Sequence, residues 1–118
     1  MRVLIIDSHY RSRESMKAIL NASTHIGEYH EAADLNEAIR YENDFQPEVI
    51  LLSMGHQYPA GWEDISRIKS IWKTARIIAL SVNPSGREQA LAAGADGFVS
   101  KTDPSDQVRE ILQGFLRE

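Results

Sequence analysis

The sequence contains no cysteine among its 118 residues. Disulfide bonds, thiol nucleophiles and thiolate metal sites are therefore excluded, and their absence is typical of proteins from a reducing compartment. The apolar run near the N-terminus, residues 3–6, is too short for a signal peptide or a membrane span. We therefore expect a cytoplasmic protein that makes no contact with a membrane.

Basic residues are also scarce, with 13 Lys and Arg against 17 Asp and Glu and a formal net charge of −4. No basic cluster occurs, so the chain lacks the general attraction for nucleic acid that phosphate contacts require. Hydrophobic residues at 42% and charged residues at 25% are ordinary for a globular protein. The length predicts one domain, residues 1–118, with a single core region.

Three short apolar runs, rich in β-branched residues, recur along the chain. They span residues 3–6, 49–52 and 77–80. Uninterrupted runs of this length are typical of strands that are buried on both faces, as in a parallel sheet covered by helices. Residues 28–33 and 97–100 are weaker candidates for two further strands nearer the sheet edges.

Apolar residues with helical spacing fill the intervals after the first three strands. Asp34 followed by Glu37 forms a capping-box pattern at the start of the second helix. We expect the third helix to begin near Trp62. The residues predicted to face inward are Met16, Ile19 and Leu20 in the first helix, Leu35, Ala38 and Ile39 in the second, and Ile65, Ile68, Ile71 and Trp72 in the third.

The last two helices have clearer ends. The alanine-rich stretch 86–93 predicts a fourth helix that stops at Gly94, and Asp103 with Pro104 predicts the cap and first turn of a fifth. The apolar face of the fifth helix comprises Val108, Ile111, Leu112 and Phe115. Five strand–helix units in alternation predict an α/β fold, an open parallel sheet between two helical layers.

Polar residues directly follow the apolar runs. Asp7 and Ser8 come after the first strand, Ser53 after the third, Ser81 after the fourth and Lys101 after the fifth. Because ligands of open parallel sheets bind beyond the carboxyl ends of the strands, these five side chains should share one crevice. Polar residues also begin wherever a buried strand ends, so their positions alone leave open whether they form a site.

Four stretches resemble, in register, the motifs of response-regulator receiver domains. Residues 3–9 resemble the opening strand with its acidic pair, and residues 47–53 resemble the third strand, with Gly61 eight residues later. Residues 79–81 match the strand that ends in the switch serine or threonine. Residues 94–101 match the glycine turn, the switch aromatic and the invariant lysine. The resemblance covers the whole chain and implies a flavodoxin-like fold with strand order 2-1-3-4-5.

The resemblance also implies roles, and two of them are not fulfilled by the residues present. In this family, three carboxylates in the crevice bind magnesium, and one of them accepts a phosphoryl group from a histidine kinase. The acidic-pair positions hold Asp7 and Ser8, and the phosphoaccepting position holds Ser53. The switch positions hold Ser81, Phe98 and Lys101. The chain therefore resembles a degenerate member of the family that lacks the phosphoaccepting aspartate.

Charge and reactivity agree with that interpretation. Three carboxylates and one lysine would carry a net charge of −2, whereas Asp7 and Lys101 together carry none. Magnesium needs carboxylate charge in an octahedral array, so we expect no bound magnesium and no other cofactor, and Asp7 should pair with Lys101 instead. A serine hydroxyl attacks only with help from a base, so we expect neither the usual phosphotransfer cycle nor another enzymatic activity.

Other chemistries are weaker fits. Ser53 with Asp7 and either His9 or His56 is a conceivable hydrolase triad, but residues 54–57 lack the Gly-x-Ser-x-Gly elbow. The histidines, at positions 9, 25, 30 and 56, lack metal-ligand spacing. A nucleotide or flavin site would need glycine in the loop after the first strand, and residues 8–12 contain none.

The predicted function is signalling through protein–protein contact without phosphorylation. Its partner would be a separate protein or a covalently attached output domain. Family members usually make such contacts through the fourth helix, fifth strand and fifth helix, which here would present Phe98, Arg87, Arg109, Glu110 and Gln113. A homodimer through that face is a further expectation, and Phe98 packed inward is the alternative for that residue. The alternative function is a switch regulated by a small ligand or by serine phosphorylation.

Overall fold

A computed structural model describes residues 1–22, 26–41, 43–54, 58–100 and 104–116. The strands are β1 (Arg2–Ile6), β2 (Glu28–Ala32), β3 (Val49–Ser53), β4 (Arg76–Ser81) and β5 (Gly97–Ser100). The helices are α1 (Tyr10–Asn21), α2 (Leu35–Ile39), α3 (Tyr58–Ile71), α4 (Arg87–Ala92) and α5 (Pro104–Leu116). A 3₁₀ turn, Pro84–Gly86, lies between β4 and α4.

All strand pairs are parallel, and the sheet order is β2-β1-β3-β4-β5. This order confirms the predicted flavodoxin-like architecture. The three continuous apolar runs form β1, β3 and β4, which occupy the middle of the sheet, and the two weaker candidates form its edges. Burial on both faces explains why the central strands show no polar alternation.

Alternate side chains of each strand pack on opposite faces of the sheet. Val3 and Ile5 of β1 belong to a cluster with residues of α1 and α5, whereas Leu4 and Ile6 belong to a cluster with residues of α2, α3 and α4. The sheet is therefore covered by two helices on one face and three on the other, and its carboxyl edge is left for the loops that carry the candidate site.

The boundaries of the third and fourth helices differ from the sequence predictions. The third helix begins at Tyr58 rather than near Trp62, and Trp72, predicted within it, lies just beyond its end and is buried. The 3₁₀ turn precedes α4, so the regular helix begins at Arg87 rather than at residue 86. Pro104 is the first residue of α5 as predicted, whereas Asp103 lies outside the described residues.

The predicted ends of α2 and α4 are confirmed in part. The Asp34 side chain accepts a hydrogen bond of 2.8 Å from the backbone N–H of Glu37, as a capping residue should. Gly94 has a φ of 117°, a conformation that favours glycine, and it follows α4 directly after Ala93. No helix in the described part of the chain is long and apolar enough to cross a membrane.

Candidate functional site

Strand register brings three of the five predicted polar residues to adjacent strand ends. Ile6 of β1 pairs with Leu52 of β3, so Asp7 and Ser53 are the next residues on neighbouring strands. Ser53 in turn pairs with Leu80 of β4, which Ser81 follows. Since neighbouring strands lie about 4.8 Å apart, Asp7, Ser53 and Ser81 form one row across the carboxyl edge.

Asp7 is buried at the end of β1, with 3% of its surface exposed. Its Oδ1 accepts a hydrogen bond of 2.9 Å from the backbone N–H of His9, the residue before α1. Its backbone N–H donates to the carbonyl of Ala32, and its carbonyl accepts from the Arg13 guanidinium at 2.7 Å. These bonds fix both the carboxylate and the start of α1.

Ser8, the other acidic-pair position, is exposed. Its neighbour His9 is exposed as well. The bond between His9 and Asp7 uses the backbone of His9 rather than its imidazole. Lys101 and His56 lie outside the described residues.

Ser53 is the last residue of β3, and its hydroxyl is buried. Within the part of the chain that the structure describes, Ser53 Oγ has no hydrogen-bond partner. A buried hydroxyl without a partner typically costs about 1–3 kcal/mol. The hydroxyl is not bonded to a base, so the described residues do not assemble a serine-nucleophile triad.

Ser81 is completely buried at the end of β4. Its Oγ accepts a hydrogen bond of 3.1 Å from the backbone N–H of Asn83. The hydroxyl is therefore engaged by the segment that follows it, in contrast to the hydroxyl of Ser53.

Phe98 packs inward from β5, with 7% of its surface exposed. It belongs to the same cluster as Ala79, its partner on β4, and Ala90, the buried residue of α4. The inward alternative for Phe98 is therefore the one observed, and the prediction that Phe98 contributes to an exposed contact face is wrong for this conformation. The four other residues predicted for that face are exposed: Arg87, Arg109, Glu110 and Gln113.

An ion-pair network beside Asp7 was not predicted from the sequence. Arg13 and Lys17 of α1 both contact Glu31 of β2, at 3.2 and 2.7 Å, and Lys17 also contacts Glu14. Hydrogen bonds from Lys17, opposed by partial burial and reinforced by Arg13, lower the pKa of Glu31. Hydrogen bonds to Glu14 and Glu31 raise the pKa of Lys17. The spacing of Arg13 and Lys17 marks one helix face, but their partner on β2 depends on strand register.

A separate concavity of about 340 Å³ lies at the opposite, amino edge of the sheet, and Arg2, Glu48, Arg76 and Phe115 line part of it. Arg2 pairs with Glu48 at 3.4 Å, and the Arg76 guanidinium lies 4.7 Å from the centroid of the Phe115 ring. No sequence motif indicated this concavity, and it shares no residue with the carboxyl edge.

The donor set at the carboxyl edge is poor for a divalent cation. Asp7 contributes a carboxylate, whereas Ser8 and Ser53 contribute neutral hydroxyls. Magnesium is held by carboxylate oxygens and tightly bound water, so this set does not fit the ion that the resemblance implies. Within the described ranges, no group of three His, Asp or Glu side chains is placed to hold a metal ion.

Comparison with curated proteins identifies relatives of matching sequence. The Fimbriae Z protein of Salmonella typhimurium is 31% identical over 119 residues, covering 96% of this chain and 57% of the relative. The nitrate/nitrite response regulator protein NarL of Escherichia coli is 26% identical, covering 98% of this chain and 55% of the relative. The chain thus spans about half the length of these relatives.

Solved structures show the same fold. A response regulator from Thermotoga maritima superposes with a TM-score of 0.86 at 15% identity, covering 99% of this chain and 98% of that one. A LuxR family DNA-binding response regulator from Silicibacter pomeroyi superposes with a TM-score of 0.78 at 26% identity, covering 94% and 88%. Residues 3–113 match the family model described as response regulator receiver domain. The chain belongs to the response-regulator receiver domain family of two-component signalling.

Proposed function

We propose that this receiver domain signals through protein–protein contact that does not depend on phosphorylation of an aspartate. Ser53 occupies the phosphoaccepting position in this proposal. The observation that carries it is the hydroxyl of Ser53 at the end of β3, beside Asp7, buried and without a hydrogen-bond partner among the described residues. The role is one of binding rather than catalysis, in the cytoplasm.

The chemistry of the residues at the carboxyl edge of the sheet supports this proposal. An aspartate is ionised at neutral pH and can attack a phosphoryl donor directly, whereas a serine hydroxyl needs a neighbouring base. Ser53 Oγ makes no hydrogen bond to such a base among the described residues. The crevice also lacks two of the three carboxylates that hold magnesium in the family, because Ser8 and Ser53 are neutral.

In this proposal magnesium does not bind, and Asp7 and Lys101 stabilise the folded state instead. Asp7 is buried and already holds the start of α1 through the backbone of His9. A buried carboxylate is stable only when it is paired or hydrogen-bonded. We therefore propose Lys101 as the cation that compensates the charge of Asp7.

The contact surface that we propose includes four exposed residues of α4 and α5: Arg87, Arg109, Glu110 and Gln113. Phe98 is excluded from it in this conformation because its side chain is buried. The partner is a second protein or an output domain in the same polypeptide. A homodimer through this surface is a further form of contact. Sedimentation equilibrium, which measures the molecular mass in solution, tests it.

Regulation by a small ligand or by serine phosphorylation is the second candidate function. Burial of Ser53 Oγ argues against a kinase acting on that residue, because the hydroxyl must reach the active site of the kinase. A small ligand that binds the folded state raises the melting temperature by mass action. Thermal denaturation across a metabolite panel separates the two functions: a saturable stabilisation favours a ligand, and a flat panel favours the ligand-free contact module.

The experiment that tests the proposed function restores the missing acids. The double variant Ser8→Asp/Ser53→Asp and the wild type are incubated with magnesium and acetyl phosphate, and phosphoryl transfer is measured by intact-mass spectrometry. We expect transfer to the double variant and none to the wild type. The neutral variant Ser8→Asn/Ser53→Asn is the matched control, since it has similar side-chain size without the charge. Equal labelling of the wild type and the acidic variant would contradict the proposal.

A further inference from the structure

Three hydrogen bonds connect Ser81, Asn83 and Ser85 in the segment between β4 and α4. The backbone N–H of Asn83 donates to Ser81 Oγ at 3.1 Å. The side-chain oxygen of Asn83 accepts from both the backbone N–H and the hydroxyl of Ser85, at 3.0 and 2.8 Å. We refer to these three bonds as the Asn83 latch.

The local sequence favours this geometry. Asparagine commonly accepts a hydrogen bond from the backbone two residues ahead, which forms a side-chain-closed turn. Pro84 has no backbone N–H and disfavours helical geometry at Asn83, so the chain turns before the helix begins. The amide of Gly86 closes the turn on the carbonyl of Asn83 at 3.5 Å.

The helix that follows is short and packs against the sheet through one buried residue. The α4 helix has six residues, Arg87–Ala92, and Ala90 is its buried residue. Its N-cap residue, Gly86, makes no side-chain capping bond. Helices this short are unstable by themselves and depend on packing or capping. The Asn83 latch is one polar connection between the end of β4 and the start of α4.

We propose that the Asn83 latch fixes the Ser81 hydroxyl and the start of α4 in one arrangement without any ligand in the crevice. This inference rests on the proposed function, in which no phosphoryl group at position 53 competes for Ser81. A two-state segment shifts only when something binds one state better than the other. The latch supplies that bias from within the chain, so the contact surface on α4 is preset.

Amide hydrogen exchange on three single variants tests the inference, and no phosphoryl donor is present. Asn83→Ala removes both acceptor bonds, and we expect exchange of the α4 amides to accelerate about tenfold, while the amides of β1 and β3 are unaffected. Asn83→Asp keeps an acceptor oxygen and should restore protection. Val82→Ala is the matched control, because Val82 lies inside the same segment and is 52% exposed.

A variant that removes only one of the bonds separates a local effect on α4 from global destabilisation. Ser85→Ala removes the hydroxyl bond and keeps the backbone bond, so its effect on α4 should be smaller than that of Asn83→Ala. Equal acceleration in α4 and in β3 would show global destabilisation and overturn the inference, as would an Asn83→Ala profile identical to that of Val82→Ala. The phosphoryl-transfer experiment on the wild type is independent of these results, so failure of the proposed function and failure of the latch are distinguishable.

Discussion

The two halves of the carboxyl edge differ in how completely their polar groups are satisfied. On the side of β1 and β3, Ser8 is exposed and the buried hydroxyl of Ser53 has no partner among the described residues. On the side of β4 and β5, Ser81 is hydrogen-bonded and Phe98 is packed in the core. The β1–β3 half therefore contains a buried hydroxyl without a described partner, whereas the buried hydroxyl of the β4–β5 half is hydrogen-bonded.

The difference shows which positions are constrained by packing. Phe98 fills a volume bordered in its cluster by small residues such as Ala79 and Ala90, so its loss would leave a cavity. A side chain at position 53 lies at a strand end, where serine is accommodated at a modest desolvation cost. Packing therefore constrains Phe98 more strongly than it constrains the side chain at position 53.

The largest expected effect lies in the β4–β5 half. Phe98→Ala should lower the free energy of unfolding by about 3–5 kcal/mol, because it opens a cavity beside α4. Urea denaturation measures the change. Tyr10→Ala is the control, since the Tyr10 side chain is 65% exposed and its removal should cost less than about 1 kcal/mol. Similar losses in the free energy of unfolding for the two variants would contradict the claim that packing constrains Phe98.

A double-mutant cycle tests the proposed pairing of Asp7, which follows β1, with Lys101, which follows β5 in the sequence. Asp7→Ala and Lys101→Met are measured singly and together by chemical denaturation. We expect a coupling energy of about 1–3 kcal/mol, since a buried ion pair is most destabilised when one partner alone is lost. Strict additivity of the two single changes would show that Asp7 and Lys101 are not paired.

The two serines with buried hydroxyls, Ser53 and Ser81, should respond to alanine substitution with opposite changes in stability. Ser53→Ala removes an unpartnered hydroxyl and should stabilise the fold by about 1 kcal/mol. Ser81→Ala leaves the N–H of Asn83 without its acceptor and should destabilise by about the same amount. Paired thermal and urea unfolding curves provide the measurement. Destabilisation by both substitutions would mean that Ser53 Oγ has a partner after all.

The smallest expected effect is electrostatic and depends on pH. The pKa of Glu31 is lowered from its ordinary value of 4.5 by hydrogen bonds from Lys17 and Arg13. A carboxylate with a lowered folded-state pKa stabilises the fold above its unfolded pKa and loses that contribution as the pH falls through the folded value. The free energy of unfolding of the wild type should therefore exceed that of Glu31→Gln by no more than about 1 kcal/mol at pH 7, because the ion pairs of Glu31 are partly exposed.

Measurements of the free energy of unfolding at acidic pH supply the control for Glu31. Below pH 4.5 the difference between the wild type and Glu31→Gln should shrink and then vanish as Glu31 becomes protonated. A difference that stays constant down to the most acidic pH would indicate that the effect of Glu31→Gln arises from packing.

Much of the fold was predictable because the signals are local. Continuous apolar runs identified β1, β3 and β4, and the alternation of strands with helical periodicity predicted the layered sheet. The start of α3 at Tyr58 was missed, since no apolar periodicity precedes Trp62. Proline at position 59 fits the first turn of a helix and is the signal that would have found it.

The site was predictable only as a set of strand ends. Position along the chain placed Asp7, Ser53 and Ser81 at one edge, and register confirmed it. The contact of Glu31 with α1 and the acceptor role of Asn83 depend on side-chain directions that spacing does not specify. The inward packing of Phe98 was one of two open readings, because an aromatic residue on an edge strand fits either side of the sheet.

One measurement tests the central claim most directly. The ¹H–¹⁵N spectrum of the wild-type protein is recorded before and after addition of magnesium and beryllofluoride, which imitates an aspartyl phosphate. The account predicts that the amides of Asp7, Ser53 and Ser81 do not shift, while the variant Ser8→Asp/Ser53→Asp responds under the same conditions. Saturable shifts at those amides in the wild type would contradict the account, because they would show that the crevice still binds the metal and the phosphoryl analogue.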